Sequence, residues 1–137
     1  MADAKCCLAV VWEDCGVIFM GRIVNGSGTA ITQASLSTLD YAVYDVTSYD
    51  EVNDSGTATL VLAGTQTISS VVFDTYQTPS IWTDLGDSTG YNFRVDAPVT
   101  WIPAAPKTYR IDFKATPTSG AAFAWSYQCK TRKLRTA

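Results

Sequence analysis

The side chains that could carry catalytic chemistry in this chain are carboxylates and thiols, because histidine is absent from all 137 residues. Without histidine the chain lacks the commonest proton shuttle and most nucleophilic triads. Paired carboxylates alone can hydrolyse glycosides. The acidic residues here, however, mostly fall in turns or on outward strand positions, as Asp87, Asp96 and Asp112 do. Solvation explains such carboxylates, so the sequence predicts a protein that is not an enzyme.

The richest group of oxygen-bearing side chains lies in one short stretch that contains Asp50, Glu51, Asn53 and Asp54. Its order does not fit an EF-hand calcium loop, because Val52 occupies a position that must supply a ligand. A hairpin turn explains the stretch without a metal, since Asn, Asp, Ser and Gly are the residues that turns favour. No glycine-rich phosphate loop follows a strand and opens a helix. We therefore predict neither a metal nor a cofactor.

Four cysteines offer thiol chemistry: Cys6, Cys7, Cys15 and Cys129. Adjacent Cys6 and Cys7 fit neither a CxxC redox pair nor common zinc spacing, and a zinc site without histidine would need all four thiolates. A bridge from Cys15 to Cys129 would join the two chain ends, but the sequence does not determine connectivity. We favour buried free thiols that pack as small apolar groups.

Charge is distributed unevenly along the chain. The last eight residues carry four of the ten basic side chains and none of the 13 acidic ones: Lys130, Arg132, Lys133 and Arg135. A basic tail on an acidic body could dock an acidic neighbour, including the next copy of the same chain, or it could remain a solvated terminus. Nucleic-acid binding is disfavoured, because the cluster has no interleaved aromatics and the acidic body repels phosphate.

Length and composition indicate one domain that covers residues 1–137. A chain that is 47% hydrophobic and 17% charged can build its own core and is too apolar for disorder. No run approaches the ~20 apolar residues of a membrane helix, so no membrane partner is expected. Residues 1–15 are interpreted as an unprocessed N-terminal extension, and residues 130–137 as a basic C-terminal tail.

Turn residues divide the chain into strand-length segments rich in Val, Ile, Thr, Tyr and Phe, a spacing typical of a β-sandwich or barrel. The clearest strands lie in the C-terminal half, where inward apolar residues alternate with outward ones at period two. These strands begin at Tyr91, Tyr109 and Phe123. In the first of these strands, Asn92 is expected to face outward, because the next residue, Phe93, faces the core.

Two segments are harder to assign. Residues 68–78 could form a short helix or a strand, and their β-branched residues favour a strand. Pro98, Pro103 and Pro106 predict that residues 97–107 form a loop that crosses between strands.

The segment that begins at Gly90 is typical of a turn followed by a half-buried strand. In immunoglobulin-like sandwiches a Tyr at such a place pins a corner by a hydrogen bond from its hydroxyl to upstream backbone, and Tyr91 is the candidate. We therefore predict an all-β protein, a single immunoglobulin-like antiparallel β-sandwich. Its fold-defining residues are expected to be Gly90, Tyr91, Phe93, Tyr109, Phe113 and Trp125.

Two of the four tryptophans, Trp82 and Trp101, lie in or beside predicted loops. Large aromatics in loops either close the end of a sandwich or anchor a partner. Closing the sandwich is the commoner role, but both residues are candidate partner contacts, together with the basic residues of the tail. An exposed Trp could also form a carbohydrate platform, although no polar cluster accompanies either one.

Several framework segments follow one another in a characteristic order over roughly residues 17–129. They are Gly21-Arg22-Ile23-Val24-Asn25, Ala30-Ile31-Thr32-Gln33-Ala34, Tyr41-Ala42-Val43-Tyr44-Asp45, Val71-Val72-Phe73-Asp74-Thr75, Ile81-Trp82-Thr83, Gly90-Tyr91-Asn92-Phe93-Arg94, Ile102-Pro103 and Thr108-Tyr109-Arg110. This order resembles small immunoglobulin-like structural proteins of tailed bacteriophages, found among head-decoration and tail or baseplate components.

The resemblance implies a non-enzymatic virion protein that is assembled in the host cytoplasm. It implies a capsid decoration or cement protein first, with the major capsid protein or other virion proteins as partners and a trimer or similar symmetric cluster as its own assembly. A tail, neck or baseplate component is the alternative. A carbohydrate-binding adhesion module on the virion surface is the third hypothesis, motivated by Trp82 and Trp101.

Overall fold

The computed structural model describes residues 6–12 and 15–133, and for residues 6–9 only the backbone. In this part of the chain two β-sheets pack face to face. The strands are β1 (Cys6–Trp12), β2 (Val17–Gly21), β3 (Leu36–Asp50), β4 (Ser55–Thr65), β5 (Val72–Gln77), β6 (Tyr91–Ala97), β7 (Thr108–Pro117) and β8 (Phe123–Arg132). The helices are α1 (Ile68–Val71), α2 (Ser80–Asp84) and the 3₁₀ turns Gln33–Ser35 and Val99–Trp101. No helix among these residues is long and apolar enough to span a bilayer.

The larger sheet has five strands in the order β1-β8-β7-β3-β4, and the smaller has three in the order β2-β6-β5. A mostly β protein with two packed sheets is thus confirmed. The antiparallel prediction needs one correction, because β1 pairs parallel to β8. Strand β1 arises within the segment that we interpreted as an N-terminal extension, and β8 continues to Arg132, into the predicted basic tail.

The two sheets are held together by aromatic rings. Phe93 of β6 is fully buried and points from the smaller sheet into the larger one. Its ring meets Phe113 of β7 and Trp125 of β8 edge-on, with centroids 5.0 Å away in each case. Edge-to-face contacts at this distance are a favoured aromatic geometry. The sandwich core is therefore centred on an inter-sheet cluster whose members come from the strands that alternate most regularly in sequence.

Asn92 corrects the simple alternation that the sequence predicts for β6. Its side chain is 1% exposed rather than outward-facing. It accepts a hydrogen bond from the backbone N–H of Ile23 at 2.7 Å and donates to the carbonyls of Ile23 at 2.8 Å and Ile31 at 3.1 Å. The chain between β2 and β3 covers this face of β6, and Asn92 bonds three of its backbone groups, of which the Ile23 carbonyl also accepts a hydrogen bond from the N–H of Ile31.

Residues 68–78 combine the two structures that the sequence left open. The first turn is helical, α1, and the remainder is strand β5. Val71 and Val72, at the junction, are both buried, so the change of backbone keeps two consecutive apolar side chains in the core. The favoured assignment of strand was therefore wrong for the first four residues.

Tyr109, rather than Tyr91, makes the bond that a tyrosine corner requires. The Tyr109 hydroxyl lies at the start of β7 and accepts a hydrogen bond from the backbone N–H of Ala104 at 3.2 Å. This bond ties the strand to the loop by which the chain crosses from the smaller sheet to the larger. Tyr91 is buried, but its ring packs edge-on against Phe73 and tilted against Trp82.

Glycine is required at position 90 by the close packing of the turn, and not by a tyrosine corner at Tyr91. Its φ is +95°, and a Cβ there would lie 2.0 Å from the carbonyl oxygen of Gln77. The turn before β6 therefore packs directly on the backbone that ends β5, and only glycine fits.

Replacing Asn92 by Ala should lower the free energy of unfolding by about 3 kcal/mol, because three hydrogen bonds to buried backbone are lost at about 1 kcal/mol each. Urea denaturation followed by circular dichroism measures the change. The matched control is Asn53→Ala, since Asn53 is exposed and its amide bonds only Asp50. Equal effects of the two substitutions would show that the Asn92 bonds do not contribute as described.

Tyr109→Phe should cost about 1 kcal/mol of unfolding free energy, since the N–H of Ala104 loses its acceptor. Tyr91→Phe should cost less, because its hydroxyl bonds the partly exposed side chain of Arg94 rather than buried upstream backbone. The same urea titration compares the two variants. A larger loss for Tyr91→Phe would return the corner to that residue.

Candidate functional site

The two tryptophans that the sequence offered as partner contacts differ in accessibility. Trp101 is 3% exposed and stacks on Tyr41 with ring centroids 4.5 Å apart. It therefore closes the core, and burial removes it from the candidate surface contacts. Trp82 lies in α2 and is half-buried against Tyr91. With one ring in the interior and the other partly covered, the pair does not form an exposed aromatic platform.

The basic residues of the tail lie at the end of β8, the strand next to the edge strand β1 of the larger sheet. Lys130 and Arg132 are exposed positions at the end of β8, and Lys133 follows directly. Within the described ranges none of the three forms an ion pair. Arg135 falls outside the described residues. We call Lys130, Arg132 and Lys133 the basic edge.

The hairpin between β3 and β4 carries the complementary charge. We call Asp50, Glu51 and Asp54 the acidic tip. Asp50 accepts hydrogen bonds from the N–H of Val52 at 3.0 Å and from the side-chain amide of Asn53 at 2.8 Å. The hydrogen bond from the Asn53 side chain is the largest of the contributions that lower the pKa of Asp50, so this residue is charged at neutral pH.

Asp54 also has an internal partner, because it accepts a hydrogen bond from the hydroxyl of Tyr49 at 2.6 Å. The turn depends on two left-handed residues, Asp54 with φ +48° and Gly56 with φ +87°. A Cβ on Gly56 would lie 1.9 Å from the carbonyl oxygen of Ser48, so glycine is required there. Within the described segments neither Asp50 nor Asp54 has a cationic partner.

Glu51 differs from its two neighbours because it is paired within the chain. Arg110 of β7 donates to its carboxylate at 2.6 Å, and Gln128 lies at 3.4 Å. Arg110 also reaches Asp112, with Nη2 3.2 Å from one carboxylate oxygen. Its Nε is 3.1 Å from the other oxygen but is too poorly aligned for a hydrogen bond. These contacts fix the hairpin against the outer face of the larger sheet.

The acidic tip and the basic edge lie at the same end of the larger sheet. The strand registers place Asp45 of β3 opposite Tyr109, Thr108 opposite Lys130, and Arg132 beside Trp12. The hairpin that follows β3 and the last residues of β8 therefore point the same way. Glu51 contacts Arg110 of β7 and Gln128 of β8, so the acidic tip bends over the outer face of the sheet toward the strand that carries the basic edge.

The two edge strands of the larger sheet are uncharged over their whole length. Strand β4 reads SGTATLVLAGT and strand β1 reads CCLAVVW, with no Lys, Arg, Asp, Glu or Pro in either. Each pairs on one side only among the described strands, β4 with β3 and β1 with β8. Soluble proteins normally protect such edges with charge, proline or bulges. The eleven-residue β4 has register irregularities, but much of it is exposed and open to pairing.

Two surface depressions have volumes of about 560 Å³ each. One is lined by Tyr41, Gln66, Arg94 and Asp96, and the Arg94 Nε pairs with the Asp96 carboxylate at 2.8 Å. The other lies beside the β7–β8 hairpin and is mostly apolar. Neither brings together titratable groups in an arrangement for general acid–base catalysis.

The two described thiols do not pair with each other. Cys15 is exposed and Cys129 is buried, and both are free, so the possible bridge between them is not formed. Burial raises the pKa of the Cys129 thiol to about 11. The thiols of Cys6 and Cys7 lie outside the described side chains. Over the residues that the structure covers, no three Cys, Asp or Glu side chains form a metal-binding group.

Comparison with known proteins gives no family for this chain, because no family model matches it and no curated protein is significantly similar in sequence. The assignment of function therefore depends on the surface described above and on the resemblance noted from the framework segments.

Sequence reasoning found the basic edge but missed its relation to the acidic tip. The tip was interpreted as a hairpin turn, which is correct, and its charges were considered only as metal ligands. The missing step is strand order, because only the register of β3, β7 and β8 puts both groups at one end. The sequence did contain one signal for this surface, since the uncharged strand β4 is immediately preceded by the acidic turn.

Native alkylation should modify Cys15 and spare Cys129. Burial and a pKa of about 11 leave Cys129 almost entirely as an inaccessible thiol at pH 8. Iodoacetamide labelling followed by peptide mass spectrometry separates the sites, and labelling in urea supplies the control in which both react. Rapid native labelling of Cys129 would contradict its burial between the sheets.

Proposed function

We propose that the protein is a non-enzymatic structural component of a tailed-phage virion, and that it acts first as a capsid decoration protein. The observation that carries an assembly role is the pair of uncharged outer strands on one sheet, β1 and β4, each of which pairs on one side only among the described strands. Such edges favour strand addition by another chain. The specific setting in a virion comes from the framework resemblance.

We also infer that the sandwich is immunoglobulin-like. Three features support this: a five-stranded and a three-stranded sheet, a first strand parallel to the last, and a crossover between sheets that is pinned by Tyr109. A tyrosine near the start of the second-last strand, bonded to upstream backbone, is a hallmark of that architecture. Ile111, fully buried two residues later, stands where antibody domains have a cysteine.

The partners that we propose are the major capsid protein and further copies of this chain. On a shell with many equivalent sites, a modest contact per subunit becomes effective because neighbouring contacts act together. A tail, neck or baseplate location uses the same surface and differs in copy number. The carbohydrate-binding hypothesis loses its structural motive, since Trp101 is in the core and Trp82 is half-buried.

Quantitative mass spectrometry of purified particles tests this role. If the chain decorates the head, its copy number should be comparable to that of the major capsid protein, whereas a tail component would be present in six copies or a small multiple, as ring symmetry dictates. A non-structural protein of the same virus serves as the control for contamination. Particles that lack the chain would contradict the proposal.

A further inference from the structure

We propose that the depression beside β6 binds an extended, uncharged segment of another protein chain, which adds to β6 as a further strand. Strand β6 has an open side there, a buried donor without a partner lines the depression, and the rim carries no net charge. This site is separate from the outer strands β1 and β4 of the larger sheet, and peptide binding there goes beyond the proposed virion role.

Strand β6 is paired on both sides over only part of its length. Its ladder with β2 continues to Ala97, opposite Val17. On the other side, the register with β5 ends at the pair of Phe93 with Val72, because the four residues before Val72 form α1 instead of a strand. Residues 94–97 therefore have a strand partner on the β2 side only. Backbone groups along such an edge are the recognition element for an added strand.

The depression lies along this open side. Arg94, Val95 and Asp96 line it from β6, and Val71 and Phe73 line it from the chain opposite. Its volume of about 560 Å³ is within the range of sites that bury a ligand. Val71 is buried and Phe73 is half-buried, so an apolar side chain of the added segment would find apolar contacts there.

Trp101 supplies a hydrogen-bond donor that has no partner. Its ring closes the core and is 3% exposed, yet its indole N–H bonds no described residue. Unlike the N–H of Trp125, it is not sealed from solvent. Because Trp101 lines the depression, its N–H is available to a group that enters there. A buried indole usually finds an acceptor, and a peptide carbonyl is one.

Tyr41 adds a second polar group, and packing fixes its position. Its ring stacks on Trp101 with centroids 4.5 Å apart, and a Cβ on Gly64 would lie 2.9 Å from its hydroxyl oxygen. Glycine in the interior of β4 thus leaves room for the hydroxyl, which bonds no described residue. A hydroxyl both donates and accepts, so it can serve either group of a peptide bond.

The charges on the rim cancel. Among the described residues that line the depression, Arg94 and Asp96 carry charge, and they pair through Nε at 2.8 Å and Nη2 at 3.3 Å. A charged ligand would therefore find no unpaired counter-charge, whereas a peptide bond is neutral and has both a donor and an acceptor. The open strand edge favours a peptide over other neutral ligands, because its donors and acceptors repeat at the spacing of another strand.

Binding of a model peptide tests the site. The probe is acetyl-Thr-Val-Thr-Val-Thr-amide, which is uncharged and favours an extended backbone. The control peptide has the same side chains on N-methylated peptide bonds, so it lacks ladder donors. The protein variants are Tyr41→Phe, which removes the hydroxyl at the depression, and Tyr44→Phe, which removes a hydroxyl from the outer face of the same strand. Circular dichroism and urea denaturation verify that each variant folds.

In heteronuclear NMR spectra, the unmodified peptide should shift the indole N–H signal of Trp101 and the amide signals of residues 94–97, with saturation as its concentration rises. Two other indole signals serve as internal controls and should not move. They belong to Trp125, whose N–H is sealed in the core, and to Trp12, which is 49% exposed.

Tyr41→Phe should weaken binding of the peptide about tenfold, since one hydrogen bond is lost. Tyr44→Phe should leave the affinity unchanged, because that hydroxyl lies on the other face of the sheet. The methylated peptide should produce none of the shifts, since it cannot donate to the edge of β6.

Three results would overturn the proposal: an unmodified peptide that shifts none of these signals, equal binding of the methylated peptide, and saturable shifts caused by glucose or N-acetylglucosamine but not by the peptide. The third result would assign the depression to a hydroxyl-rich ligand instead. Because the purified chain alone is measured, failure here leaves the copy number in particles as a separate result on the virion role.

Discussion

The contact on which this structure depends is the packing of Phe93 from the smaller sheet edge-on against Phe113 and Trp125 of the larger one, which stack on each other. All three rings lie in the interior, and their edge-to-face geometry sets how the sheets face each other. Packing of this kind uses the inner faces of the central strands and leaves the outermost strands of the larger sheet out of the central contact. Tyr109 and Asn92 then hold the crossover and the covering loop in place by hydrogen bonds to backbone.

The central strands of the two sheets form the central contact, and this leaves the outermost strands of the larger sheet in a different position. Strands β1 and β4 are needed to widen the larger sheet, yet each keeps one side unpaired within the described chain and carries no charge against other chains. Natural edges of this length are usually protected by charge, proline or bulges, and these two carry neither charge nor proline. This feature is the structural basis of the assembly role that we propose.

The sequence predicted best where one rule was sufficient. Period-two alternation located β6, β7 and β8, since each has one face in the core. It failed at Asn92, because the segment that covers this residue comes from 69 residues earlier in the chain and leaves no local pattern. The short apolar run of β1 has no alternation, so nothing local distinguished it from an extension.

Tyr91 and Tyr109 both begin strands, and only the crossover between sheets reveals which hydroxyl has backbone within reach. Strand order, on which the candidate surface depends, is likewise a property of long-range pairing.

An electron-microscopy map of the intact particle at a resolution that separates strands tests the central claim most directly. The account predicts this chain in repeated, symmetry-related positions, with an edge strand of its larger sheet against a neighbouring chain. Particles in which the chain is present but both edges of its larger sheet face solvent would contradict the account.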